Sequence, residues 1–159
     1  MQKLVLHRNG GVCDSIDLNF RPICLDMKNN ELIVAGEGKA RRFNTTGGKL
    51  KDLGDLDIKG GASSVKFSPD GSLLAAGDLQ DKALRLFDVE AGYKLKVSNF
   101  PHSTKVMTMA WSPDGKYLAS SCLDQAVAVW NTTESLRTNK ENVYLLGFLF
   151  FGIFIFFDS

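Results

Sequence analysis

His102, Ser120 and Asp124 are the three residue types that acyl-transfer chemistry uses as base, nucleophile and orienting carboxylate. Such a set works only if the hydroxyl is open to a substrate and stands beside hydrogen-bond donors for the developing oxyanion. A second candidate, Gly36-Glu37-Gly38-Lys39, has the glycines and lysine of a phosphate-cradling loop. That loop requires glycine at position 33 and serine or threonine at 40, and Ile33 and Ala40 stand there instead. A turn between two strands is the simpler reading. Lys39, Arg41 and Arg42 carry the charge to meet a phosphate or an acidic partner, although a solvated strand end collects the same residues. His7 is the only other histidine and no His/Cys set has zinc-ligand spacing, so neither a metal nor a cofactor is expected.

Whether any of these residues reacts depends on the elements that place them. A chain of 159 residues, 44% apolar and 23% charged, has the make-up of one soluble domain with a real core. Nineteen basic and 18 acidic side chains leave a formal charge of +1, which gives no global field for nucleic acid or an anionic membrane. Cys13, Cys24 and Cys122 form no C-x-x-C pair, and their odd number suits buried thiols in a reducing compartment. The first 30 residues lack the apolar block of a signal peptide, so a cytosolic protein is expected. Asn44-Thr45-Thr46 and Asn131-Thr132-Thr133 then never meet the glycosylation enzyme, and their common place at the ends of third strands explains them as repeat positions.

The organising feature is a repeat. Phe67-Ser68-Pro69-Asp70-Gly71, followed by Ser72-Leu73-Leu74-Ala75-Ala76, recurs 44 residues later as Trp111-Ser112-Pro113-Asp114-Gly115 and Lys116-Tyr117-Leu118-Ala119-Ser120. Apolar residues alternate before each box, and the Ser-Pro-Asp-Gly sequence makes a tight turn: proline presets the backbone, aspartate bonds nearby amides and glycine takes angles closed to other residues. Around the first box the pattern predicts strands at Ser63 to Phe67, Leu73 to Gly77, Ala83 to Phe87 and Tyr93 to Val97. A more worn copy precedes it, with strands at Ile23 to Met27, Leu32 to Gly36, Ala40 to Phe43 and Lys49 to Leu56. Lys3 to His7 and Val12 to Leu18 read as the last two strands of another. After the second box come Tyr117 to Cys122 and the wholly apolar Ala126 to Trp130. The expectation is all-β: two complete four-stranded units, the end of one before them and three strands of one after. Met27, Met107 and Met109 read as core filler.

These motifs resemble the WD-repeat family, over about Met1 to Thr133. The resemblance implies a partial β-propeller of about three and a half four-stranded blades. It also implies that His102, Ser120, Asp124 and Trp130 form a buried hydrogen-bonded tetrad, with His102 bridging Asp124 to the serine hydroxyl. That role is structural, which removes the hydrolase reading. Phe100-Pro101 before His102 and Asn131 after Trp130 depart from the family pattern. In the preceding unit Lys59-Gly60-Gly61 and Phe87 replace the histidine and the tryptophan, so packing is expected to hold that unit. The last unit, with His102, Lys105, Val106, Trp111 and Ser-Pro-Asp, is similar to late repeats of the actin-interacting members. By that resemblance the function is a non-catalytic scaffold, cytoplasmic and cytoskeletal, whose partners are the actin filament and cofilin and which promotes filament disassembly. Partner-contacting residues are not assigned. A WD-repeat adaptor of another complex and a tail-anchored scaffold are the alternatives.

Residues 134–159 are expected to lie outside the repeats. Val143 to Phe157 holds six of the eleven phenylalanines, with neither alternation nor turn chemistry, and is expected not to supply a blade strand. At 15 residues it is short for a membrane span, which needs roughly 17 to 25. Translated non-coding sequence, a marginal tail anchor and a helix packed over an open edge are its three readings. An open array leaves apolar faces in water, so a truncated form of a larger protein is expected.

Overall fold

Alternating apolar residues and Gly- or Asn-bearing turns produce strands within a residue or two of nearly every predicted position. The computed structural model describes residues 2–99, 102–123, 126–133 and 143–146. The first sheet is β1 (Gln2–Arg8) with β2 (Gly11–Leu18). The second is β3 (Pro22–Lys28), β4 (Glu31–Gly36), β5 (Lys39–Asn44) and β6 (Lys51–Asp55). The third is β7 (Ala62–Phe67), β8 (Leu73–Asp78), β9 (Leu84–Asp88) and β10 (Lys94–Asn99). The fourth is β11 (Val106–Trp111), β12 (Tyr117–Cys122), β13 (Val127–Asn131) and β14 (Val143–Leu146). Each strand pairs antiparallel with its sequence neighbour within a sheet. The architecture is all-β, a partial propeller.

One expectation fails at β14. The segment from Val143 was expected to supply no strand, yet Val143 to Leu146 pair with Trp130 to Val127 and give the fourth sheet a fourth strand. Ladder pairing is made by backbone groups, so a short β-prone run can complete a sheet without the polar alternation of a half-exposed strand. The remainder of the apolar tail, and the start of the predicted tail region, lie outside the described residues.

The core lies between sheets. Leu4 and Ile16 of the first sheet pack on Leu32, Val34 and Phe43 of the second. Ile33, Ala35 and Ala40 meet Val65, Phe67, Leu74 and Phe87 of the third. Ala75, Leu84, Leu86 and Val97 then meet Val106, Met109, Leu118 and Trp130 of the fourth. Within each four-stranded sheet the first two strands repeat the same register: Leu25 opposes Val34, Val65 opposes Ala76 and Met109 opposes Ser120. A β-bulge recurs near the start of the first strand of all three four-stranded sheets.

The first strand of each sheet is an edge strand, and its outward backbone groups need partners from elsewhere. Neighbouring sheets supply them. Asp26 of β3 accepts the N–H of Phe67 at 2.7 Å and faces the Lys66 ammonium at 3.3 Å. Ser63 Oγ lies 2.6 Å from the Val106 carbonyl and 3.1 Å from that of Gly77. Gly77 is required there, because a Cβ would fall 2.7 Å from Cβ of Val106. The methionines are not uniformly core: Met109 is buried, but Met27 and Met107 are about half exposed. Met107 sits in the β11 bulge, which turns it off the buried face, and Met27 faces the side of the first sheet, which has two strands among the described residues.

Candidate functional site

The residues that looked like a hydrolase set are gathered inside the fourth sheet. His102 precedes β11, Ser120 lies on β12 and Trp130 on β13. His102 Nε2 is 2.8 Å from Ser120 Oγ, and the Trp130 indole N–H donates to the same oxygen at 3.2 Å. All three are at least 94% buried. A hydroxyl enclosed beneath an indole gives no substrate a line of attack, so the cluster ties strands together. Asp124, the fourth expected member, lies outside the described residues.

The equivalent place in the third sheet is built differently. Phe87 opposes Leu74 where Trp130 opposes Leu118, and Ala76 opposes Arg85 where Ser120 opposes Ala128. Packing was expected to hold this unit, but an ionic lock does so as well. Asp78 is 1% exposed; one carboxylate oxygen accepts the amides of Gln80 at 2.7 Å and Asp81 at 3.2 Å, and the other pairs with Arg85. Arg85 also pairs with Asp81. The sequence signal was present: an arginine between Leu84 and Leu86 in an otherwise apolar strand. This lock lines a cleft of about 400 Å³ that also includes Asp57, Lys59 and Tyr93.

The glycine-lysine segment is a turn, as expected, and its amides are occupied. Glu37 N–H donates to the Arg21 carbonyl and Gly38 N–H to that of Gly60. Gly61, in the left-handed region at φ +74°, lies so close that a Cβ would sit 1.7 Å from the Gly36 carbonyl oxygen. This close approach requires glycine at 61, the counterpart of Lys105 at the 44-residue spacing; the counterpart of His102 is the buried Ile58. The basic cluster is compensated internally: Lys39 pairs with Asp55, Arg41 with Asp52 and Asp55, and Arg42 with Glu31. Arg42 also lies 5.0 Å over the Tyr93 ring. Burial and the neighbouring Glu31 push the Tyr93 phenol upward.

The two Ser-Pro-Asp-Gly turns share one network. Ser68 Oγ donates to Asp70 at 2.5 Å and Ser112 Oγ to Asp114 at 2.7 Å; the amides of Ser72 and Lys116 donate to the same carboxylates at 3.0 Å. These bonds hold both carboxyls below the ordinary aspartate value. The thiols differ from the buried set expected, since Cys13 is exposed, Cys24 half-buried and Cys122 buried. Burial raises Cys24 to about 11. Among the described residues no group of three His, Cys, Asp or Glu could hold a metal ion, and no helix is long and apolar enough to cross a membrane.

Comparison with known proteins divides the chain at different points from the sheets. The family described as "WD domain, G-beta repeat" matches residues 56–88 and 94–131. The second match takes in β10 of one sheet and β11 to β13 of the next, so the sequence repeat is out of phase with the sheets and links them. The chain is 34% identical over 123 residues to WD repeat-containing protein 1-B of Xenopus laevis, covering 76% of this chain and 20% of that protein. It is 32% identical over 137 residues to WD repeat-containing protein 1 of Bos taurus, covering 83% and 22%. Actin-interacting protein 1-2 of Arabidopsis thaliana is 30% identical over 156 residues, covering 91% and 26%. The chain thus spans about a fifth to a quarter of the length of these relatives.

Proposed function

The chain belongs to the WD-repeat family, and from that premise we propose that it is a non-catalytic protein-interaction scaffold that binds actin filaments and, with cofilin, promotes their disassembly in the cytoplasm. The observation that carries this reading is the similarity, at 30% identity over 91% of the chain, to a protein named for its interaction with actin. The architecture suits it. Stacked sheets hold their connecting turns rigidly, and rigid turns present a broad surface to a large partner. Among the described residues, His102 and Ser120 of the hydrolase-type set are enclosed, which supports a role without chemistry.

Co-sedimentation with actin filaments, bare and cofilin-decorated, tests the proposal. Pelleting that rises with cofilin supports it; no pelleting with either filament favours an adaptor of an unrelated complex.

A further inference from the structure

Asn9 is the only one of the nine asparagines that a glycine follows, and the pair forms the two-residue turn between β1 and β2. Arg8 opposes Gly11 across this turn, while Asn9 at φ +51° and Gly10 at φ +79° take the left-handed angles of a type I′ hairpin. Both residues are exposed. Beyond its chain neighbours no atom lies within 4 Å of where a Gly10 Cβ would stand, and among the described residues the Gly10 amide makes no hydrogen bond. A side-chain amide and a free, unhindered backbone nitrogen thus follow one another in open solvent. At three other asparagines the next residue is tied or buried. The amide after Asn44 donates to the Asn30 carbonyl and that after Asn131 to the Lys116 carbonyl, each at 2.8 Å, and Phe20, after Asn19, is buried. Asn29 comes nearest to Asn9, being exposed in a two-residue turn at φ +55°, but the nitrogen beside it carries the side chain of Asn30.

We infer that Asn9 is a site of spontaneous modification, converted through a succinimide to aspartate and isoaspartate, and that the isoaspartyl form loosens the β1–β2 hairpin. When the hairpin end opens, the Gly10 nitrogen attacks Asn9 Cγ. The new N–Cγ bond closes a five-membered ring, the Cγ–Nδ2 bond breaks, and the Gly10 amide proton leaves with the side-chain nitrogen as ammonia. Solvent water then opens the ring. Addition at Cγ gives aspartate, addition at the Asn9 main-chain carbonyl gives isoaspartate, and neither route consumes an oxidant or a reductant. Glycine favours ring closure because no Cβ crowds the nitrogen or restricts the angles the ring needs. Aspartate tolerates the left-handed region and keeps the turn. Isoaspartate routes the main chain through the side-chain carbon, adding one atom to a loop whose length sets the strand register. The strain falls on β1 and β2, whose Leu4 and Ile16 pack on Leu32, Val34 and Phe43.

The test is ageing of the full chain in neutral and mildly alkaline buffer, followed by digestion and mass-spectrometric mapping that separates aspartyl from isoaspartyl peptides. Expected are conversion at Asn9 at least tenfold faster than at Asn29, both products in the same peptide, and a rate that rises with pH as the Gly10 nitrogen loses its proton more readily. Gly10→Asn suits the left-handed angle and should slow conversion at least tenfold. The isoaspartyl form should exchange its β1 and β2 amides faster than the parent, with β12 unchanged. The inference is overturned if Asn9 stays intact in the folded chain while converting in urea, if Asn29 keeps pace with it, if Gly10→Asn has no effect, or if the isoaspartyl form exchanges as the parent does.

Discussion

The indole N–H of Trp111 donates to the carbonyl of Lys66, 3.1 Å away across the gap between the fourth and third sheets. Lys66 lies on β7 opposite Ala75 of β8, and its carbonyl points into that ladder, away from the outward Phe67 N–H, so the tryptophan adds a second donor from the next sheet. Trp111→Phe keeps the ring surface and removes only the donor. A loss of about 1 kcal/mol is expected, seen as a lower urea midpoint with an unchanged slope. An unchanged midpoint would mean that the ladder alone satisfies the Lys66 carbonyl.

Asp78 and Asp81 both pair with Arg85 but differ in burial, at 1% and 40% side-chain exposure. Asp78→Ala strands a mostly buried guanidinium and frees the amides of Gln80 and Asp81, for a cost of about 3–5 kcal/mol. Asp81→Ala removes the outer partner and the weak bond from the Ala83 amide, and should cost about 0–1 kcal/mol. Equal losses in chemical denaturation would contradict the inner position assigned to Asp78.

Gly77 and Val106 define how closely the third and fourth sheets approach. Gly77→Ala should destabilise by about 1–3 kcal/mol through overpacking. Val106→Gly alone opens a cavity, but combined with Gly77→Ala it removes the Cβ, 2.7 Å away, that the new methyl group would meet. The double-mutant cycle should therefore show a favourable coupling above about 0.5 kcal/mol. Strict additivity would show that the two positions do not meet.

Most of the fold was legible because strand periodicity and turn chemistry are local. The Ser68–Asp70 and Ser112–Asp114 networks follow from five-residue boxes, and the predicted strands fell within a residue or two of their observed limits. What was not legible depends on neighbours distant in sequence. Asp26 gives no local sign that it caps Phe67, 41 residues on, and Met27 and Leu25 carry the same apolar pattern as buried residues although no described strand covers them. The Asp78–Arg85 lock was partly readable, since a charge in an apolar strand demands a partner, but the pattern could not say which one. At β14 the sequence reading failed because it required side-chain alternation of a strand held by its backbone.

Acid should weaken the turns first. The Asp70 and Asp114 carboxyls are held below their ordinary value chiefly by the hydroxyls of Ser68 and Ser112, and that of Asp88 by Lys96. The unfolded chain therefore takes up these protons before the native one does. The stabilisation is fully present above the unfolded value of about 4 and is lost as pH falls through the lower native values. Urea midpoints on either side of this window check it: on these groups' account they are level above about pH 5 and decline below about pH 4, with the decline reduced in the Asp70→Asn, Asp114→Asn double variant. An unaltered decline in that variant would place the acid sensitivity elsewhere.

The central claim is that rigid stacked sheets meet a filament without chemistry, and filament co-sedimentation of the full chain addresses it most directly. The account predicts saturable pelleting with actin that cofilin decoration increases, and that Ser120→Ala leaves unchanged as long as the variant stays folded. No pelleting on bare or cofilin-decorated filaments, or pelleting lost in a folded Ser120→Ala variant, would contradict it.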